Sequence, residues 1–580
     1  VLGRLDVRVI YPRPGATIQA RDSTFIFGSS GSGDATLRIN GQPVEVLPNG
    51  SFLGWVPVPE AEGAFELVAR RGGDSSKVRV PVVIPPRPVP LARGGPLADL
   101  GSLLPRGVQA RLSDELVRVS IRASPEARVT LVPAIGDLID LVRSSGDSTF
   151  FAADVPAPAL NGPGRIVIRR TSNSQSPISN LQSPVPNPQP PDSLSLPAPR
   201  IVLADSSGRV FATLGAASVA LPDTDRVVIG RPVAGGTYKW FFLPQTVVEV
   251  TGRSNDEMRV AIASGLDVWV NADEVGSAVA GGAAPVRVVA NARVLADPAG
   301  EWSELVLPIG QRPAWSVDAI PGGLTLTLYG TTANTDIINY AAGDSLVSRV
   351  TWEQVLRDRA RYTIEFRQPL FGYLVLWRNG ALVLRMRRAP RVDPVRPLAG
   401  LRIVVDAGHP PGGSTGPTGL YEPVATLAIS ERVRALLEQR GASVIMTRTS
   451  PSALGLAERP LAARRANAHA FVSIHLNALP DGVNPFRAHG TGTYYFTPQS
   501  VDLARAVQQG MVRHMGLRDL GINYDNLAVI RPTWMPSILA EGAFIMIPEQ
   551  EAALRAPEFQ QAYAAGVVEG IEAYFRGLRR

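Results

Sequence analysis

Leu401-Arg402-Ile403-Val404-Val405-Asp406-Ala407-Gly408-His409 is the stretch that decides how the last third of this chain folds. Its run of branched apolar residues, 401–405, reads as a strand buried on both faces, and it ends on a glycine and a histidine. Downstream, residues 424–440 carry helical periodicity and stop at Gly441, a C-terminal cap. Residues 443–447 form a second strand, 454–468 a helix disturbed at Pro460, and 471–475 a third strand. Strands at 492–496, 527–530 and 537–541 follow, with a helix at 499–515 and a long terminal helix at 549–578 interrupted near Pro557. Strands alternating with helices predict an α/β domain over 396–580, with a mostly parallel sheet flanked by helices.

Four polar residues sit at the ends of these apolar runs. His409 and His475 each follow a strand, and sites in such sheets gather at the carboxyl ends of strands. Glu422 comes from the loop Gly419-Leu420-Tyr421, just before a helix. Two histidines and a glutamate make a catalytic zinc donor set that leaves a fourth position for water. Glu541 ends a very apolar strand, where a carboxylate is costly unless it is paired, hydrated or near a metal. Burial raises the pKa of such a group, which suits it to move a proton. Taken singly, each has a plainer reading. Either histidine serves as a hydrogen-bonded structural group, Glu422 as a helix N-terminal charge, and Glu541 as an ion-pair partner of Arg531 or Arg448. His469 is the rival ligand and is expected to be a cap or surface group. His489 and His514 are expected at the surface.

The first 395 residues have a different rhythm. Residues 1–85 show short alternating runs broken by Asn40-Gly41 and Asn49-Gly50, the signature of hairpins in a β-sandwich. Residues 86–107 are rich in proline and glycine and read as a linker. Residues 108–170 read as a second β module, and 171–199, Ser/Pro-rich, as another linker. Residues 200–283 and 284–395 again alternate as β domains. Tyr11-Pro12-Arg13-Pro14-Gly15 with Ile39-Asn40-Gly41 resembles bacterial immunoglobulin-like modules. The compact strands around Thr237-Tyr238-Lys239-Trp240 and Leu266-Asp267-Val268-Trp269-Val270 resemble a bacterial SH3-like domain, and 284–395 resembles an AMIN-like module.

At 580 residues the chain is too long for one core. No apolar run reaches the roughly 18 residues of a membrane span. The absence of cysteine excludes disulfides and thiolate metal sites and favours an extracytoplasmic life. The chain starts at Val1 with no charged-then-apolar leader, which leaves open whether a signal peptide has been removed. Its net charge of +7 rests almost wholly on arginine, Lys77 and Lys239 being its two lysines. The arginines are scattered, with no basic run or aromatic-interleaved patch, so nucleic acid is not an expected partner.

One resemblance joins these observations. Ile403 to His409, Glu422, Val444-Ile445-Met446-Thr447-Arg448 and Leu456-Ala457-Glu458-Arg459 stand in the order of the zinc-dependent N-acetylmuramoyl-L-alanine amidases, the amidase 3 family. Phe471-Val472-Ser473-Ile474-His475-Leu476-Asn477-Ala478 and Leu539-Ala540-Glu541-Gly542-Ala543-Phe544 complete the match. The resemblance implies Zn²⁺ held by His409, Glu422 and His475, with Glu541 as the catalytic carboxylate. It implies hydrolysis of the amide between N-acetylmuramic acid and L-alanine in peptidoglycan, by a periplasmic or secreted protein. The partners it implies are peptidoglycan and an envelope or divisome activator. Pro423, His469 and Ile545-Met546 depart from the family pattern. The short 479–490 segment leaves no room for an inserted inhibitory helix. Two alternatives are a zinc carboxypeptidase, whose His-x-x-Glu pair is not met by His409-Pro410-Pro411-Gly412, and a non-catalytic wall-binding scaffold.

Overall fold

The computed structural model describes residues 3–59, 63–85, 91–93, 95–171, 193–215, 227–277, 279–280, 282–297 and 300–578. Upstream of residue 400 the two-residue apolar period produces strands among the described residues, with two single 3-10 turns. At the N-terminus a three-stranded sheet (Arg8–Tyr11, Ser23–Ser29, Ser51–Pro57) faces a five-stranded one. Ile26 and Phe52 from the first meet Leu37, Phe65 and Leu67 from the second in one core, making a sandwich. Asn40-Gly41 turns the hairpin between Thr36–Ile39 and Gln42–Val44, both residues at positive φ (47° and 80°) as a type I′ turn requires.

The stretches expected as linkers carry strands where they are described. Ala98–Leu104 pairs with Leu116–Ala123, and Ser193–Pro197 pairs with Arg165–Arg170 in the same seven-stranded sheet. Leu194 and Leu196 alternate onto that sheet's core, which is enough to make a strand of a Ser/Pro-rich segment. Residues 86–90, 94 and 172–192 lie outside the described residues. Gln109–Arg111, expected in the second module, pairs instead with Val202–Leu203 and Val247–Ser254 of the next sheet. Residues 288–387 build a five-stranded and a four-stranded sheet around Leu305, Leu326, Tyr362 and Leu384, with a two-stranded sheet of Val288–Val289 and Thr332–Ala333 beside them.

Beyond residue 400 the elements are β1 (Arg402–Ala407), α1 (Glu422–Gln439), β2 (Ser443–Met446), α2 (Glu458–Arg465), β3 (Ala470–Asn477), β4 (Thr491–Tyr495), α3 (Val501–Met515), β5 (Asp519–Tyr524), β6 (Ser537–Phe544), α4 (Pro548–Arg555) and α5 (Pro557–Gly577). The sheet order is β2-β1-β3-β6-β4-β5. Only β4 and β6 meet antiparallel, so the sheet is mixed with a parallel majority. Residues 527–530 form no strand. The N–H groups of Ile530 and Arg531 close a turn on the Leu527 carbonyl, and Val529 and Ile530 bury themselves under the sheet. Their apolar signal is core contact. The edge strand is instead the more polar β5.

The two faces of this sheet are covered differently. On one, Ile403, Val405, Val472 and Ile538 pack against Ile429 and Val433 of α1, Val507 of α3 and Val567 and Ile571 of α5. On the other, Val404, Phe471 and Leu539 meet Ala463 of α2 and also Trp302, Val306 and Val383 of the preceding β domain. That interface has polar pins. Tyr373 N–H donates to the Thr533 carbonyl (2.8 Å), the Thr533 hydroxyl returns to Tyr373 O (2.6 Å), and buried Arg387 donates to Ala468 O and to Asn467 O (3.0 Å). The N-terminal sandwich docks too. Phe25, Phe27 and Leu53 pack with Phe544, Met546 and Ile547, and Asp481 accepts from Ala20 N–H (2.9 Å) and the Thr24 hydroxyl. No helix of the described residues is long and apolar enough to cross a membrane.

Candidate metal centre and catalytic carboxylate

The site forms where β1, β3 and β6 end. A Cβ on Gly408 would lie 2.6 Å from the His475 ring, so only glycine lets the end of β1 pass that imidazole. His409 then takes φ 56°, a left-handed backbone uncommon outside glycine and often found at functional positions. Its Nδ1 lies 2.9 Å from the Pro411 carbonyl. A proton on Nδ1 donated there leaves the Nε2 lone pair free, the tautomer a metal-binding histidine needs. Nε2 is 3.5 Å from Glu422 Oε1, and His475 Nδ1 is 3.3 Å from the same oxygen. The two rings stand edge to face with centroids 4.9 Å apart.

Glu422 is the first residue of α1 and its side chain is 2% exposed. Ser414 N–H donates to Oε2 (2.9 Å) and Leu476 N–H to Oε1 (3.1 Å). Burial pushes this carboxyl upward. The hydrogen bond from His475 and the charges of both imidazoles outweigh it and hold the group below its usual range. One ligand atom from each of His409, Glu422 and His475 lies within 4.8 Å of the others. A tetrahedral zinc with bonds of about 2.0–2.1 Å separates its donors by roughly 3.3 Å. The two Glu422–histidine distances match that spacing, and the donor set of two imidazoles and one carboxylate fits zinc.

Glu541 lies on β6 in register with His475 of β3. Its Oε2 is buried and bonded to nothing in the protein. Burial is the main force raising its pKa to about 8; the Glu422 charge adds to this and His475 opposes it. It pairs with neither arginine considered for it. Arg448 spends its guanidinium on carbonyls, and Arg531 Nε donates to Asn526 Oδ1 (2.7 Å). Tyr563 of α5 ties the two strands together: its hydroxyl accepts from Gly542 N–H (3.0 Å) and donates to Ala540 O (2.8 Å), with His475 O at 3.2 Å.

Beneath the His409 loop is a charged cage in which Asp406 and Arg459 had no role in the sequence reading and Arg448 had one only as a partner for Glu541. Asp406 and Arg459 form a buried ion pair (2.8 Å), and Asp406 also accepts from the Thr447 and Ser473 hydroxyls. Arg459 reaches Ala407 O and Pro410 O (both 2.8 Å). Arg448 reaches Ala407 O (2.8 Å), Gly408 O (3.0 Å) and Pro423 O (2.8 Å). The signal for these residues was their charge inside otherwise apolar motifs. Tyr563 had no such signal.

The other histidines stand apart. His469 is a buried residue at the opposite end of β3, not a cap or surface group. Its Nδ1 accepts from Arg402 N–H (3.0 Å), and burial, helped by the Arg387 and Arg402 charges, pushes its pKa down to about 3. His489 is half-buried against the Pro485 carbonyl, and exposed His514 pairs with Glu569.

Residues 403–573 match the family model described as N-acetylmuramoyl-L-alanine amidase, Amidase_3. The uncharacterized protein YqiI of Bacillus subtilis is 36% identical over 208 residues, 35% of this chain and 98% of YqiI. The N-acetylmuramoyl-L-alanine amidase LytC of the same organism is 33% identical over 186 residues, 31% of this chain and 36% of LytC. Among solved structures, the N-acetylmuramoyl-L-alanine amidase AmiC2 of Nostoc punctiforme shares 33% identity over 30% of this chain and 98% of its own, with a TM-score of 0.29. Through its C-terminal domain the chain belongs to the N-acetylmuramoyl-L-alanine amidase family and is an enzyme of that class.

Proposed function

We propose that the chain cleaves the amide joining the lactyl group of N-acetylmuramic acid to L-alanine of the stem peptide, with His409, Glu422 and His475 as zinc ligands and Glu541 as the proton-transferring carboxylate. The observation that carries this reading is the unpartnered, buried Oε2 of Glu541 beside a three-donor cluster whose two Glu422–histidine distances suit zinc. Zinc bound there would polarise the scissile carbonyl and bring the pKa of water toward about 7. Glu541 takes a proton from the attacking water and returns it to the departing alanine nitrogen. A carboxyl whose pKa is raised toward neutrality can do both. Pro411 O fixes the His409 tautomer, Ser414 and Leu476 N–H groups fix Glu422, and Tyr563 fixes the relation of β3 to β6.

The β domains expected at 1–85, 108–170, 200–283 and 284–395, the second widened by strands 98–104 and 193–197 and the third by 109–111, are read as immunoglobulin-like, unassigned, SH3-like and AMIN-like modules that hold the enzyme at the cell wall, in the periplasm or outside the cell. Product analysis of digested sacculi tests the whole reading. An amidase frees intact stem peptides bearing a new alanine amino terminus. Single amino acids would mean a carboxypeptidase, and wall binding with no released product would mean a scaffold.

A further inference from the structure

Glu551 of α4 is a fully buried carboxylate that takes no part in the proton transfer described above. Its backbone partners all lie in one loop. Oε1 accepts from Thr418 N–H (3.1 Å) and Leu420 N–H (2.9 Å), and Oε2 accepts from Thr418 N–H (2.8 Å). Arg555, one turn further along α4, lies 3.5 Å from Oε1 and donates to the Thr418 hydroxyl and carbonyl (both 3.2 Å). A buried carboxylate is costly unless it is well bonded, and an apolar side chain of similar volume often serves packing as well or better. A charge at this position therefore points to the loop it grips.

That loop is the tip of a small hairpin, Ser414 to Glu422, whose base carries one of the three donor residues. Glu422 N–H donates to Ser414 O (2.9 Å), Thr415 bridges Tyr421, and Gly416 N–H donates to Leu420 O (2.9 Å). At the base, Ser414 N–H holds Glu422 Oε2 (2.9 Å). At the tip, a Cβ on Gly416 would lie 2.6 Å from the Glu551 carboxylate, so a larger residue there would push the two apart. The helix behind Glu551 is itself anchored. Leu554 is buried in the helix-side core, and Gln550 Oε1 accepts from Phe544 N–H (2.7 Å) at the end of β6. Glu551 thus joins the element that carries Glu541 to the hairpin that carries Glu422.

We infer that Glu551 is a positioning residue for the metal centre, which holds the Glu422 carboxylate in place between the two imidazoles and in fixed relation to Glu541. This role rests on the zinc reading of His409, Glu422 and His475. Groups that orient a metal ligand from outside are typically worth about 10–100-fold in metal affinity. Two full-length variants test it from opposite sides. Glu551→Gln keeps the side chain's size and loses one of its two acceptor oxygens. Gly416→Ala crowds the same contact from the hairpin, at a φ outside the left-handed region, so alanine suits the backbone. Both should bind zinc about 10–100-fold more weakly than wild type in competition with a chromophoric chelator. The visible absorption of their Co²⁺-loaded forms, which follows ligand geometry, should also differ from that of wild type. A residue that only braced the fold would lower the melting temperature of the metal-free chain and leave both metal readings unchanged. Zinc affinity within about twofold of wild type in the folded variants, with an unchanged cobalt spectrum, would therefore overturn the assignment. Should Glu551→Gln fail to fold, Gly416→Ala decides alone. Wild type that takes up no zinc overturns the zinc reading and this role together, whereas wild type that binds zinc beside variants that bind it equally well overturns this role alone.

Discussion

Glu541 and His475 stand side by side on paired strands, and the difference between them is what each side chain bonds. His475 Nδ1 faces Glu422, whereas one Glu541 oxygen faces no protein donor. Glu541→Gln should therefore keep the metal and lose turnover by about 10²–10⁴-fold, the usual contribution of general acid–base help. Metal analysis alongside dye release from labelled sacculi checks both halves, and turnover near wild type would remove Glu541 from its role. His409→Ala should instead lose the metal. His469 gives a pH prediction. Its folded pKa, pushed down to about 3, lies below its value of about 6.5 in an unfolded chain. A base depressed in this way adds stability above the unfolded value and loses it as pH falls from about 6.5 toward 3. His469→Asn keeps an acceptor for Arg402 N–H but cannot titrate. On acidification from about pH 7 to about pH 4, wild type should lose more melting temperature than the variant; parallel losses would contradict the assignment. At this scale His409, His475 and Glu541 stand out as candidates because each follows or ends an apolar run, and Glu422 because it closes a glycine-bearing loop at the start of α1. His469 is misread because its burial depends on Arg387 and Arg402, which arrive from elsewhere in the chain.

The loop after β1 is held in a left-handed turn at His409 by carbonyl contacts from two arginines. Arg459 is the more exposed to mutation, because it also neutralises buried Asp406. Removing one partner of a buried ion pair typically costs about 3–5 kcal/mol. Arg459→Met should lower the melting temperature of the C-terminal domain and also release metal on dialysis, since the same side chain bonds the carbonyl of Pro410. Metal retained at wild-type stoichiometry would show that the loop needs no such support. Strands β1, β3 and β6 and helices α1 and α3 are legible from their periods. β5 is not, because Asp519-Leu520-Gly521-Ile522-Asn523-Tyr524 is too polar and glycine-bearing to announce a strand and gains its place by pairing with β4. The Ile545-Met546 departure likewise acquires a cause only in three dimensions. Ile545 enters the helix-side core, and Met546 packs on the phenylalanines of the docked sandwich.

Across the whole molecule, the β domains do not merely precede the enzyme in sequence. YqiI is matched over 98% of its length by about the last third of this chain, so the family's fold does not require the upstream domains in general. Here one face of the C-terminal sheet is roofed by Trp302, Val306, Leu374 and Val383, with Arg387 reaching into its backbone. Cutting the chain near residue 396 would bare Phe471, Leu539, Trp534 and their neighbours to water, at about 1.5–3 kcal/mol for each large side chain fully uncovered. The excised fragment should therefore bind a hydrophobic dye and self-associate in size-exclusion chromatography to a greater degree than the intact chain. A monomeric, dye-silent fragment would show that the roof is dispensable. A trimmed version that keeps this roof has to begin ahead of Trp302, and one that starts at the motif itself needs that oily strip repainted with polar side chains.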